Sequence, residues 1–146
     1  MKVAIGVDHA GFDYKDQIKE YLQNKGIEVM DEGTNSSEAV DYPDFALKVA
    51  NRVVNREVDF GIIMCGTGIG ISIAANKVKG IRAAVVSTAF TAESAKSHNN
   101  ANIISFGSRV NTLDEVKEYI DIYMNTKVST AERHINRVNK IHKLEG

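Results

Sequence analysis

The chain has 146 residues, with 18 Lys and Arg against 19 Asp and Glu, a formal net charge of -1 and 43% hydrophobic residues. These values are typical of a globular protein, and they exclude a disordered, collagen-like or low-complexity chain. The length predicts a single domain over residues 1–146. The near-neutral charge argues against nucleic-acid binding through a broad basic face. No apolar run approaches the ~20 residues of a membrane span. We therefore expect a soluble, cytoplasmic protein.

Lys2–Val7 is a compact apolar run that predicts the first strand. The apolar positions of Tyr14–Leu22 have helical spacing, and Gly26 supplies a stop. A second short strand is predicted at Ile27–Met30. A helix is then predicted over Pro43–Val53, because proline suits the first turn of a helix.

Three further strands follow the same pattern. Phe60–Met64 is the third strand, and a helix is predicted from about Ile71 to Val78. Ile81–Val86 is the fourth strand and leads to a short helix around Thr91–Ser97. Asn102–Phe106 is the fifth strand.

The chain is predicted to end in two helices. Thr112 with Glu115 is a capping-box signature, and helical spacing continues to Tyr123. A last helix covers about Ala131–Leu144. Strands that alternate with helices over short links predict an α/β fold, a three-layer α/β/α Rossmann-like sandwich around a five-stranded parallel sheet, plus a C-terminal helix. The continuous apolar run of Ala83–Val86 suggests a strand buried on both faces.

Ligands of such sheets bind beyond the carboxyl ends of the strands. The glycines at positions 66, 68 and 70 alternate between the third strand and a helix, so their backbone N–H groups can converge on a phosphate or a developing oxyanion. The same glycines also suit a tight turn without a ligand. The loop does not match a dinucleotide fingerprint, because Ile71 stands where G-x-G-x-x-G needs glycine.

Cys65 lies directly before that loop and is the only cysteine, so an intrachain disulfide is excluded. It is either a buried structural residue or a thiolate that acts as nucleophile or base at a helix N-terminus. His9 and His98 are candidates for proton exchange, although no histidine spacing suggests a metal site. Arg133 and Arg137 share one helix face, which is either a solvated basic face or a two-pronged phosphate grip.

Together these residues resemble the ribose-5-phosphate isomerase B family, which also holds the allose-6-phosphate and galactose-6-phosphate isomerases. The block that begins at Cys65 is the most specific part of the resemblance, which covers essentially the whole chain. The matching stretches are Asp8–Gly11, Glu32–Thr34, Val40–Asp44, Cys65–Asn76, Gly80–Ala83, Ser97–Asn102 and Phe106–Arg109.

The resemblance implies the interconversion of D-ribose 5-phosphate and D-ribulose 5-phosphate, in the pentose phosphate pathway, through a cis-enediolate. It implies no metal and no other cofactor. By the resemblance, Cys65 is the base that moves a proton between C2 and C1, and His98, assisted by Thr67, opens the furanose ring. The implied substrate contacts are Asp8, His9, Tyr42, Gly66, Gly68, Ile69, Gly70, Asn99, Arg109, Arg133 and Arg137.

His98 precedes the fifth strand and should lie toward the amino edge of its sheet, whereas Cys65 lies at the carboxyl edge. A strand of five or six residues spans ~17–20 Å. We therefore expect His98 to serve the Cys65 of a second subunit. Family members are similarly homodimers with shared active sites, and a tetramer would be built from such dimers.

Three other functions compete with this one. Allose 6-phosphate or galactose 6-phosphate could be the preferred substrate within the same family. A non-catalytic flavodoxin-like binding module would leave Cys65 dispensable, and a receiver domain needs clustered acidic residues where Asp8 stands alone. A thiol-redox protein needs C-x-x-C, which the chain lacks.

Overall fold

A computed structural model of the chain describes all of its residues, 1–146. Strands and helices alternate, as the sequence predicts. The strands are β1 (Lys2–Val7), β2 (Glu28–Asp31), β3 (Phe60–Cys65), β4 (Ala83–Val85) and β5 (Ile103–Gly107), and the helices are α1 (Phe12–Gln23), α2 (Tyr42–Val54), α3 (Ile69–Ala75), α4 (Ala89–Ser97), α5 (Leu113–Asn125) and α6 (Glu132–Lys143).

The five strands form one parallel sheet in the order β2-β1-β3-β5-β4, with helices on both faces. The predicted α/β sandwich is therefore confirmed. Because β1 has β2 on one side and β3 on the other, the connections leave it in opposite directions, and a crevice opens at the carboxyl ends of β1 and β3. No helix of the chain is both long and apolar enough to span a membrane.

The predicted fourth strand is present but shorter than Ile81–Val86, and the prediction that it is buried on both faces is wrong. The strand is only Ala83–Val85, and Val85 is exposed. β4 lies at the edge of the sheet and pairs only with β5, so water reaches it. On its open side, the Asn76 side chain donates to the Ala83 carbonyl and accepts from the Ala83 N–H, which replaces a neighbouring strand at that residue.

The third helix also differs from its prediction, since it begins at Ile69 and ends at Ala75 instead of covering about Ile71–Val78. Gly68 caps its start with φ +79°, in the left-handed region that favours glycine. The chain turns into the helix as soon as β3 ends. This brings the start of α3 close to the carboxyl edge of the sheet.

Alternate side chains of β3 enter the two halves of the core. Phe60, Ile62 and Met64 pack with α1, α4 and α5 on one face of the sheet. Ile63 and Cys65 pack with α2 and α3 on the other face. The side chain of Cys65 therefore points to the same side of the sheet as the start of α3.

Helix α2 packs directly on the backbone of β1 and β3, because two of the facing residues are glycines. A Cβ on Gly6 would lie 2.6 Å from Cγ2 of Val49, and a Cβ on Gly61 would lie 2.5 Å from Cγ1 of the same valine. Only strands without side chains at these points allow the contact. The close packing carries Tyr42, the first residue of α2, to the crevice.

Helix α6 differs from the other helices because none of its residues is buried in the core. Its apolar side is partly uncovered in the single chain, with Ile135 46% exposed. Arg133 and Arg137 lie on the opposite, polar side of the helix.

A buried lysine anchors the segment between β2 and α2. The ammonium of Lys15 donates to the Thr34 carbonyl at 2.6 Å and to Oδ1 of Asn35 at 3.0 Å, and it lies 3.1 Å from the Asp31 carboxylate. Burial alone would raise the pKa of Asp31, but hydrogen bonds from Lys19, the Gly33 N–H and Lys15 outweigh it and lower that pKa.

We predict that Lys15→Met lowers the free energy of unfolding by about 1–3 kcal/mol, because it leaves the buried Thr34 carbonyl without a donor. Lys19→Met is the matched control, since Lys19 contacts the same Asp31 carboxylate from the surface and should cost less than about 1 kcal/mol. Urea unfolding of both variants measures the difference. Equal losses would show that only the shared ion pair matters.

Candidate active site

Parallel pairing continues past the ends of three strands at the carboxyl edge. The Asp8 N–H donates to the Met64 carbonyl at 3.1 Å, and the Arg109 N–H donates to the Gly66 carbonyl at 3.0 Å. Residues that follow β1, β3 and β5 therefore meet in one pocket. It is lined by Asp8, Tyr42, Cys65, Gly66, Thr67, Ile69, Gly70 and Arg109, all of them predicted site residues.

The glycine loop wraps around the sulfur of Cys65. The Gly68 N–H donates to Sγ of Cys65 at 3.2 Å, and the thiol is only 5% exposed. The sulfur thus has a backbone N–H donor directed at it from the start of α3. Cys65 therefore packs in the hydrophobic core and also lines the polar pocket.

Two further bonds hold the loop in this shape. The Ser105 hydroxyl, fully buried on β5, donates to the Gly68 carbonyl at 2.7 Å, and the Ile69 N–H donates to Oγ1 of Thr67 at 3.2 Å. The N–H groups of Gly66, Thr67 and Gly70 have no acceptor within the chain. They are the loop amides that can bind an oxygen of a ligand.

An aromatic ring and a guanidinium group border the loop on two sides. A Cβ on Gly70 would lie 2.6 Å from Cζ of Tyr42, and a Cβ on Gly66 would lie 2.9 Å from Nη1 of Arg109. Both side chains therefore rest directly on glycine backbone. The pocket presents one cation, one aromatic hydroxyl and free amides to a ligand.

Asp8 and His9 extend the pocket beyond Tyr42. Asp8 is nearly buried, and its Oδ1 accepts from the N–H groups of Ala10 and Gly11. The Val40 N–H donates to Nδ1 of His9 at 3.1 Å. With Nδ1 used as an acceptor, neutral His9 carries its proton on Nε2 and can donate it to an anion.

The structure does not bring the remaining predicted residues to Cys65. His98 caps the C-terminus of α4, five residues before β5, whereas Cys65 pairs with Gly107 at the far end of that strand. His98 instead stacks on His134 of α6, with ring centroids 4.4 Å apart. Asn99, Arg133 and Arg137 are exposed near this second, amino-edge cluster. Each chain therefore contains two separate groups of candidate residues.

Two residues with a part in the pocket were not foreseen from the sequence. Ser105 holds the glycine loop, and the Tyr14 hydroxyl donates to the carbonyls of Ser108 and Asn111 on either side of Arg109. A serine within the apolar run of β5 was an available signal for the first. Nothing in the sequence pattern distinguishes Tyr14 from an ordinary core-facing tyrosine. No group of three His, Cys, Asp or Glu side chains is arranged to hold a metal ion.

The amino-edge cluster is strongly cationic. Desolvation, followed by the nearby His98, Arg133 and Arg137, lowers the pKa of His134 from its ordinary value of 6.5. Nδ1 of His134 is also buried without a hydrogen-bond partner. The folded chain therefore favours neutral His134.

This lowered pKa predicts a loss of stability in weak acid. Below pH 6.5 the unfolded chain protonates His134 while the folded chain resists it, so the free energy of unfolding should fall as the pH drops from 7.5 to 5.5. His134→Gln should flatten this dependence in urea titrations, and Arg133→Gln should flatten it partly. A dependence that is unchanged in His134→Gln would assign it to other groups.

The fold and the pocket together define a class: an α/β sandwich that holds a single buried thiol against a glycine loop, with a cation beside it. The profile of the Ribose/Galactose Isomerase family matches residues 3–141. The chain belongs to this family and is an isomerase, which confirms the resemblance found in the sequence.

Individual relatives are similar over nearly their whole length. Ribose-5-phosphate isomerase B of Escherichia coli (strain K12) is 46% identical over 144 residues, 99% of this chain and 96% of the relative. The structure of Clostridium thermocellum ribose-5-phosphate isomerase B superposes with a TM-score of 0.96 at 48% identity, covering 99% of this chain and 97% of that one. Galactose-6-phosphate isomerase subunit LacB of Clostridium acetobutylicum is 41% identical, over 99% of this chain and 83% of the relative.

Proposed function

We propose that the chain interconverts D-ribose 5-phosphate and D-ribulose 5-phosphate through a cis-enediolate, without a metal or other cofactor. The observation that carries the proposal is the hydrogen bond from the Gly68 N–H to the buried sulfur of Cys65. The relatives named for ribose 5-phosphate support the substrate. A lone free thiol of this kind also suits the reducing cytoplasm, where we place the protein.

Cys65 is the base in this scheme. Its thiolate takes the proton from C2 of the open-chain aldose and returns it to C1, while the hydroxyl proton on the C2 oxygen passes to the C1 oxygen. This needs the sulfur to lie along one face of the enediolate. Charge develops on the oxygens at C1 and C2 as the proton leaves. In this scheme the free N–H groups of Gly66, Thr67 and Gly70 bind that charge, a contribution typically of ~2.7–4 kcal/mol per donor.

The sugar and its phosphate require the other predicted residues. Asp8 and Asn99 bind sugar hydroxyls, and Tyr42 and Ile69 line the pocket beside the loop. The phosphate binds the Nε2–H of His9 and the guanidinium groups of Arg109, Arg133 and Arg137, which are suited to paired hydrogen bonds with phosphate. His98, assisted by Thr67, donates the proton that opens the furanose ring.

A homodimer with shared sites reconciles this scheme with the geometry. Within one chain, His98 and Cys65 lie at opposite ends of β5, too far apart for one sugar of five carbons. The partly uncovered apolar side of α6 and the orphaned Nδ1 of His134 both favour a partner at the amino-edge cluster. In the dimer, the His98 group of one protomer faces the Cys65 pocket of its partner.

Galactose 6-phosphate is the second candidate substrate, because the family description includes galactose isomerases and the relative LacB is 41% identical. A six-carbon substrate needs about one more carbon–carbon bond between the loop and the phosphate contacts. The identity is higher to the ribose 5-phosphate isomerase of Escherichia coli. We therefore favour ribose 5-phosphate.

Purified protein should isomerise ribose 5-phosphate faster than galactose 6-phosphate or allose 6-phosphate, with chelator present. Cys65→Ala should lower kcat by about 10²–10⁴-fold, as expected for the loss of a general base. Cys65→Ser is the control for the shape of the site and should also be slow, because a hydroxyl is a much weaker base than a thiolate. Full turnover in Cys65→Ala would rule out the proposed base.

Sharing of the site between protomers is tested by mixing two inactive variants. Cys65→Ala and His98→Ala dimers should each be nearly inactive. After subunit exchange in an equal mixture, about half of the dimers contain one chain of each variant. Each of these mixed dimers has one intact site out of two, so up to about one quarter of the wild-type activity should return. If sites lay within single chains, mixing would restore nothing.

A further inference from the structure

The turn that carries His98 and Asn99 is tied back to α4 by its backbone: the Asn100 N–H donates to the Lys96 carbonyl at 3.1 Å, and the Ala101 N–H donates to the Ala95 carbonyl at 2.8 Å. It follows the end of α4 and passes through Asn100, whose φ of +44° lies in the left-handed region. Both His98 and Asn99 are exposed. Proton transfer by His98 depends on where this turn lies, so contacts that fix the turn from outside bear on catalysis.

Arg82, which precedes β4, makes such a contact with the backbone of the turn. Its Nε and Nη2 donate to the Asn100 carbonyl at 3.0 and 2.8 Å, so two N–H groups of one guanidinium grip the end of the turn. The Arg82 backbone is itself hydrogen-bonded to Asn102, two residues after Asn100. Its N–H donates to Oδ1 of Asn102, and its carbonyl accepts from the Asn102 N–H.

The third arm of the same guanidinium reaches the C-terminal helix. Nη1 of Arg82 lies 2.8 Å from Nε2 of His142 on α6. Arg133 and Arg137, the proposed phosphate contacts, lie on that helix. A single half-buried side chain thus links the turn with the proposed ring-opening histidine to the helix with the proposed phosphate contacts.

We propose that Arg82 is a positioning residue for ring opening: its guanidinium holds the 98–100 turn against α6, so that His98 meets the ring oxygen of a sugar whose phosphate α6 binds. The inference rests on the proposed function of His98. Arginine suits this role because its donors form a rigid planar fork, whereas lysine offers one compact ammonium.

The test separates ring opening from enolisation. Ribose 5-phosphate must open before it reacts, whereas ribulose 5-phosphate is acyclic and can exchange its C1 proton with solvent deuterium through Cys65 alone. In Arg82→Met, turnover of ribose 5-phosphate should fall by up to about 100-fold, the cost of a misplaced catalytic group. C1 exchange at saturating ribulose 5-phosphate should stay near the wild-type rate.

Arg82→Lys and Lys79→Met are the comparison variants. Arg82→Lys keeps the charge and can still donate to the Asn100 carbonyl, but without the paired bonds of the guanidinium. It should therefore recover part of the lost turnover, and it remains informative if Arg82→Met does not fold. Lys79 is a nearby cation that contacts the Gly146 carbonyl and no residue of the turn. Lys79→Met should therefore match the wild-type protein in both assays.

A parallel fall in turnover and in C1 exchange would overturn the inference, since it would mean a general structural defect. So would unchanged turnover in Arg82→Met. If the wild-type protein does not isomerise ribose 5-phosphate, the proposed function fails instead. Hydrogen exchange of the 98–101 amides then still decides whether Arg82 holds the turn: faster exchange in Arg82→Met upholds that contact, and unchanged exchange refutes it.

Discussion

The parallel pairing of β3 with β5 is the constraint on which the candidate site depends. Cys65 pairs with Gly107 at the last position of the ladder, and the pairing runs on to Arg109, which donates to the Gly66 carbonyl. A shift of one residue in β3 would turn Cys65 to the opposite face of the sheet, away from the glycine loop. The register therefore places the thiol, the loop and the cation together.

Buried polar atoms in this protein serve the loops rather than the core. Ser105 lies fully buried in an apolar strand, yet its hydroxyl satisfies the Gly68 carbonyl of the loop around the thiol. Lys15 likewise donates its hydrogen bonds to the segment that follows β2. A buried polar group without a partner is costly, so each such pair specifies one loop conformation.

Strand direction also explains why one chain presents two partial groups of candidate residues. All five strands are parallel, so whatever follows a strand lies at one edge of the sheet and whatever precedes it lies at the other. Cys65, at the end of β3, lies at the carboxyl edge of the sheet, and His98, which precedes β5, lies at the amino edge. A site that uses both needs two copies of the sheet, and the partly exposed apolar side of α6 offers a surface on which copies can meet.

Local pattern in the sequence determined the order and type of every strand and helix, the position of Cys65 at a strand end, and the glycines beside it. These properties follow from periodicity and turn chemistry within a few residues. Tertiary structure decided the strand order, the edge position of β4, and the contacts of Ser105, Tyr14 and Arg82. Those contacts join residues 18 or more positions apart, and no local pattern encodes which distant backbone group a polar side chain will meet.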